Sequence, residues 1–125
     1  LGLSYTILNP NSLEDICNDI VTLGELTNKA REAASLSNRF REVIQQYKEI
    51  SEQIPDKPEI YWEWWPKPVF TPGKINWLTE LSEMVGAKNL FDDVELASVQ
   101  TDWEDVVRRK PDYICLAWVG VRQDR

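Results

Sequence analysis

Apolar residues fall at helical spacing over two long stretches of this chain and gather into short runs elsewhere. Leu13, Ile16, Ile20 and Leu23 recur every three or four positions, which predicts a helix. Ser12 stands before it as a cap, with Glu14 and Asp15 in the first turn, where carboxylates suit the positive helix end. Gly24 is expected to end or interrupt this helix. Upstream, Tyr5-Thr6-Ile7-Leu8 predicts a short strand, stopped by Asn9-Pro10-Asn11.

A second helix is predicted over 29–53, with Asn28 as its cap. It holds no Pro or Gly and carries Ala30, Ala33, Ala34, Leu36, Phe40, Val43, Ile44, Tyr47 and Ile50. Taken together these do not make a clean heptad, so a rigid strut between two lobes fits better than a coiled coil. Pro55-Asp56-Lys57-Pro58 stops it.

Glu59 to Trp65 is dense in β-prone residues and predicts a strand. Pro66, Pro68, Pro72 and Gly73 then predict a stiff loop. Trp77 to Val85 predicts a helix closed by Gly86, followed by a loop through Asn89-Leu90-Phe91-Asp92-Asp93. Thr101 or Asp102 caps a short helix, Trp103 to Arg109, and Tyr113 to Trp118 is a last apolar strand before Gly120. Alternation of this kind argues for an α/β fold with parallel strands, a Rossmann-like layered lobe with a three-stranded sheet.

Composition narrows the function. At 125 residues, 42% hydrophobic and 28% charged, the chain suits one small globular domain. Its net charge of -7 with no basic stripe argues against nucleic acid as a partner. No apolar run reaches the roughly 18–20 residues of a membrane helix. The opening Leu1-Gly2-Leu3-Ser4 reads as a piece cut from a longer protein. Cys17 and Cys115 lie far apart, one in a helical pattern and one in a strand run, and are expected to be buried free thiols. The absence of histidine removes the commonest general base and zinc ligand. No phosphate loop, metal-spaced cysteine pair or nucleophile triad is present, so an enzymatic reading has no anchor.

The most distinctive stretch is Tyr61 to Gly73, which with Trp77 accounts for four of six tryptophans. In open α/β sheets, ligands bind beyond the carboxyl ends of the strands, and this aromatic, proline-stiffened segment follows such an end. Trp62 and Trp64 read as packing residues on one sheet face. Trp65 and Phe70 are candidates for lining a cleft that takes a large, flat, partly apolar ligand. Glu63, set among aromatics, is expected to satisfy loop amides, with a hydrogen bond to the ligand as the alternative. Glu104, alone, would be no more than a helix-end carboxylate.

Four segments together resemble the second lobe of class III periplasmic binding proteins: Tyr61 to Gly73, Asn89-Leu90-Phe91, Trp103-Glu104-Asp105-Val106 and Lys110-Pro111-Asp112-Tyr113-Ile114. Within that class the chain is most similar to those that take cobalamin. The resemblance divides the chain into the end of a first lobe (1–27), a long inter-lobe helix (28–54) and a truncated second lobe (55–125). It implies a non-enzymatic, exported protein, periplasmic or anchored at the cell surface. Such a protein would capture cobalamin or a related corrinoid between two lobes and pass it to the membrane permease of an ABC importer. A siderophore or haem is the alternative ligand. By position, Phe70 matches a residue that touches the corrin, and Trp65, Thr71 and Trp118 accompany it. Ser98 stands where the cobalamin binders have a stacking Trp. Glu104 matches the glutamate that docks on permease arginines, a pairing suited to bidentate bonding. Gly120 matches the cleft-facing loop after the last strand. No cofactor is implied. Half a cleft alone is expected to bind weakly and to pair with a copy of itself. Outside this family, the readings weighed are an α/β enzyme domain and an interaction domain built on the long helix.

Overall fold

The computed structural model describes residues 2–118, so Gly120 lies outside the described residues. Helix α1 spans Leu13–Leu26 and begins in a reciprocal cap. Ser12 Oγ accepts from the Asp15 amide at 3.0 Å, and the Asp15 carboxylate accepts from the Ser12 and Asn11 amides, each at 3.0 Å. These bonds satisfy donors that a helix start leaves free. The Asn11 amide, first of all, draws the Asp15 carboxyl below its ordinary value.

Gly24 neither ends nor interrupts α1, contrary to the sequence expectation. It is buried where α1 meets the next helix, and a Cβ there would collide with that of Ala33. Asn28 does not cap the following helix either. It takes a left-handed φ of 56°, while the Lys29 amide reaches back to Gly24 O at 2.7 Å. That is the bond that closes a Schellman turn, and Asn is among the few residues that tolerate the conformation.

Helix α2, Ala30–Ser51, runs 22 residues. At ~1.5 Å per residue it is the longest element of the fold. It lies along α1 through small residues, with Ser37 Oγ donating to Cys17 O at 2.9 Å. Arg41 grips Glu14 with both Nε and Nη2 and also reaches Asn18 at 3.1 Å. The other side of α2 presents Leu36, Phe40, Val43, Tyr47 and Ile50, all exposed. The nine apolar positions read together hid this regular 4-3-4-3 subset.

The predicted strand at residues 5–8 does not form. Tyr5 and Ile7 are 83% and 77% exposed, and a strand with no neighbour to complete its ladder has little to hold it.

Two small sheets build the rest. Strands β1 (Glu59–Glu63), β4 (Lys88–Asn89) and β6 (Tyr113–Leu116) form a parallel sheet in the order β4-β1-β6, as the α/β alternation predicts. The second sheet was not foreseen. Strands β2 (Trp65–Pro66), β3 (Val69–Pro72) and β5 (Ser98–Thr101) pair antiparallel in the order β2-β3-β5. The stretch read as a stiff loop is thus a hairpin turning at Lys67-Pro68. Proline argues against a strand in sequence, but here Pro66 and Pro72 sit at strand ends, where a missing N–H costs little.

Helix α3 (Trp77–Met84) is capped by Asn76, whose side chain accepts from the Leu78 amide at 2.9 Å. Helix α4 (Trp103–Arg109) is capped by Asp102, which accepts from the Asp105 amide at 2.8 Å. Tyr61, Val69, Leu90, Phe91, Val99 and Val106 form the core between the sheets and α4. Trp103 meets Tyr61 edge-on, with ring centroids 5.6 Å apart. Strand β6 is less covered than its apolar run suggested: Tyr113, Ile114 and Leu116 are exposed on both faces, since among the described residues no helix packs over this edge of the sheet.

Candidate functional site

The hairpin grows directly from the carboxyl end of β1. The Trp64 amide donates to Phe70 O at 2.9 Å, which locks β3 back onto the strand it came from. Trp65 then lies opposite Phe70, and Phe70 lies opposite Gln100 of β5. Directly paired residues share a face, and residues two apart along a strand return to it. Trp65, Phe70, Gln100 and Ser98 therefore occupy one face of the antiparallel sheet. Trp65 is 49% exposed, Phe70 is half-buried, and Ser98 and Gln100 are exposed. The Trp65 indole donates to Lys67 O at 3.1 Å, which orients the ring against its own turn.

Thr71 points the other way. It is on the core face with Val69 and Val99, fully buried, and its hydroxyl has no partner among the described residues. Gln100 was missed in the sequence, because nothing there marks a strand at 98–101. Only the register with Phe70 brings it into the row.

The base of this face is held from behind by a buried polar knot. The Asn89 side-chain amide donates to Pro72 O at 2.9 Å and to Thr79 Oγ1 at 2.7 Å. The Thr79 hydroxyl donates to Gly73 O at 2.7 Å. Trp62, on the α3 side of β1, donates its indole N–H to Ser82 Oγ at 2.9 Å, in keeping with a packing role.

Glu63 closes β1. It is only 2% exposed, and Oε1 accepts from the Trp118 indole at 3.0 Å. It does not serve loop amides among the described residues, as the sequence reading favoured. Its Oε2 and the Tyr61 hydroxyl, two residues earlier on the same face, are both buried without a described partner. Burial pushes the Tyr61 phenol above its ordinary value, and the charge and close approach of the Glu63 carboxyl add to the shift.

Glu104 is exposed in the first turn of α4, and capping there belongs to Asp102. Its neighbour Asp105 is tied to Arg108 and Arg109, and the Arg108 pairing, first of all, lowers the Asp105 carboxyl. Arg109 also bonds Asp93 at 2.7 Å and lies 4.3 Å over the Phe91 ring, so α4 is anchored to the loop after β4. The Arg109 guanidinium holds the Asp93 carboxyl below its ordinary value.

A notch of about 400 Å³ lies elsewhere, between the ends of α2 and α3, walled by Lys48, Glu52, Lys57 and Glu83. It is charged and without aromatics, and it does not touch the hairpin. No three His, Cys, Asp or Glu side chains come together to hold a metal among the described residues. No described helix is long and apolar enough to cross a membrane. Both cysteines are free, Cys17 buried and Cys115 partly so.

A profile of the family described as periplasmic binding protein matches residues 2–125. The chain belongs to the periplasmic binding protein family.

Among curated periplasmic binding proteins, the chain is 25% identical over 113 residues to the vitamin B12-binding protein of Vibrio parahaemolyticus, covering 90% of this chain and 41% of that one. It thus spans under half the length of that relative. Among solved structures it superposes on the periplasmic vitamin B12 binding protein of Vibrio cholerae with a TM-score of 0.71 at 20% identity, covering 92% of this chain and 45% of that one. It also superposes on S. aureus IsdE complexed with heme, with a TM-score of 0.78 at 17% identity and coverage of 94% and 46%. These likenesses establish the fold: a parallel α/β lobe of this family.

Proposed function

We propose that this chain supplies a ligand-binding lobe and the joining helix of an exported substrate-binding protein. That protein captures cobalamin or a related corrinoid and delivers it to the permease of an ABC importer. The observation that carries the reading is the aromatic pair on the hairpin, exposed Trp65 beside half-buried Phe70, standing at the carboxyl end of β1. Two adjacent ring faces suit a broad, flat, partly apolar ligand. Trp118, bonded to Glu63, is the further ligand residue of this reading, and Ser98 extends the same sheet face along β5. Thr71 stands behind it, in the seam between the sheets.

On this reading residues 1–27 close a first lobe, 28–54 are the strut and 55–125 are the second lobe. Glu104 is the docking carboxylate. Its exposure, with helix capping already done by Asp102, leaves it free to pair with an arginine of a partner. The protein performs no chemistry on its ligand, and it works in the periplasm or anchored outside the cell. A haem or siderophore is the second reading, favoured by Ser98, a small polar residue where the cobalamin binders stack a Trp.

Absorbance titration of the longest natural form of the protein with cyanocobalamin, haemin and a ferric siderophore tests the ligand. Micromolar or tighter binding of cyanocobalamin alone is the expected result, and preference for haemin would replace the first reading by the second. Glu104→Ala is expected to abolish most uptake in cells while leaving ligand affinity within twofold. A loss of affinity or of folding would return Glu104 to a purely structural role.

A further inference from the structure

We infer that Glu63 is the acceptor that reads the polar edge of the bound ligand, selecting a macrocycle that carries carboxamide N–H groups over one that carries carboxylates. This deepens the corrinoid reading and rests on it. Glu63 lies at the carboxyl end of β1, on the same side of the strand as Tyr61 and at the end from which the hairpin springs, which is where open α/β sheets take their ligands. It is 2% exposed, yet no Lys or Arg neutralises it among the described residues. Its described partner is the Trp118 indole, on Oε1. Oε2 is buried with no partner at ordinary hydrogen-bond geometry, and the Tyr61 hydroxyl, which lies against the same carboxyl, is buried without one as well.

A polar atom left in this state costs roughly 1–3 kcal/mol, and a donor brought in by a ligand recovers much of that. A carboxylate accepts hydrogen bonds and repels other carboxylates. Trp118 is 37% exposed, so the ring that caps Oε1 stands at the surface, where an incoming ligand meets it first. Amide N–H groups on a corrin rim can take over the acceptor that the indole now caps. The carboxylates of a porphyrin rim cannot, and they would meet like charge.

The test compares dicyanocobinamide, whose side chains end in carboxamides, with dicyanocobyrinic acid, the same ring with free carboxylates. Affinities are measured by tryptophan quenching on the longest natural form of the protein. The unaltered protein should prefer the amide ligand by tenfold or more. Glu63→Gln, which keeps the shape and loses the charge, should shrink that preference about tenfold. Trp118→Phe keeps an aromatic ring but frees the acceptor, and should enlarge the preference several-fold. It also keeps the proposal testable if the buried substitution harms folding. Trp65→Ala should weaken both ligands equally. A preference unmoved by either Glu63→Gln or Trp118→Phe, with both ligands still bound, overturns the role of Glu63 and spares the corrinoid reading. Failure of both ligands to bind the unaltered protein overturns both readings.

Discussion

The two faces of the antiparallel sheet carry different loads. On the inner face Val69, Thr71 and Val99 are buried, against a core of Tyr61, Leu90, Phe91 and Val106. On the outer face Trp65, Gln100 and Ser98 are exposed and Phe70 is half-buried between them. One strand, β3, serves both faces because successive side chains alternate. Stability is thereby assigned to residues 69 and 71 and recognition to residue 70, with only a peptide unit between them. A change on one side should be felt little on the other.

That separation can be broken most severely from the inside. Phe91→Ala removes a ring that is 1% exposed, stacks against Tyr61 and lies under Arg109. It should cost about 3–5 kcal/mol of unfolding free energy in urea denaturation. A loss under about 1 kcal/mol would mean that the core is not where the inner face places it.

Phe70→Ala sharpens the comparison from the other side. Affinity for cyanocobalamin should fall by about 1–3 kcal/mol, while the urea midpoint moves far less than in Phe91→Ala. Unchanged affinity would remove Phe70 from the site. Equal damage to folding would dissolve the distinction between the faces.

Acid should produce the smallest effect, and on the inner side alone. Asp93 has its carboxyl lowered by Arg109, so its contribution is complete above the ordinary carboxylate range. It is lost as pH falls through the lower folded value, below about pH 4. Because Asp93 is well exposed, the anchor is worth no more than about 1 kcal/mol. Asp93→Asn should flatten that part of the stability-against-pH curve, and an identical curve would deny the anchor any role.

Local chemistry made much of the fold readable in advance. Ser12 and Asp102 announce helix starts through bonds to their own neighbours, three residues on. The long uninterrupted stretch of α2 and the amphipathic run of α3 were likewise legible within two or three residues at each end. What escaped depends on distant partners. The strand at 5–8 lacks a neighbour, and β5 exists only because β3 lies beside it. Gly24 looked like a helix end because its true reason, the nearness of Ala33, lies nine residues further along in another helix.

The site divides in the same way. Trp65, Phe70 and Ser98 were identifiable by residue type and resemblance, but the face they share with Gln100 is a matter of register. The bond from Trp118 to Glu63 spans 55 positions, beyond any local pattern.

The contact at Gly24 has a mechanical consequence. Because a bare backbone is pressed against Ala33 at one end of the pair, the two helices have a fulcrum there, while Arg41 clasps Glu14 and Asn18 toward the other end. The Leu13 amide, bonded to Glu80 of α3 at 2.9 Å, passes any tilt on to the sheet side. A methyl group added at position 24 would act as a shim. It would swing the far end of the long rod relative to the strands, with the largest displacement far from the atom that caused it.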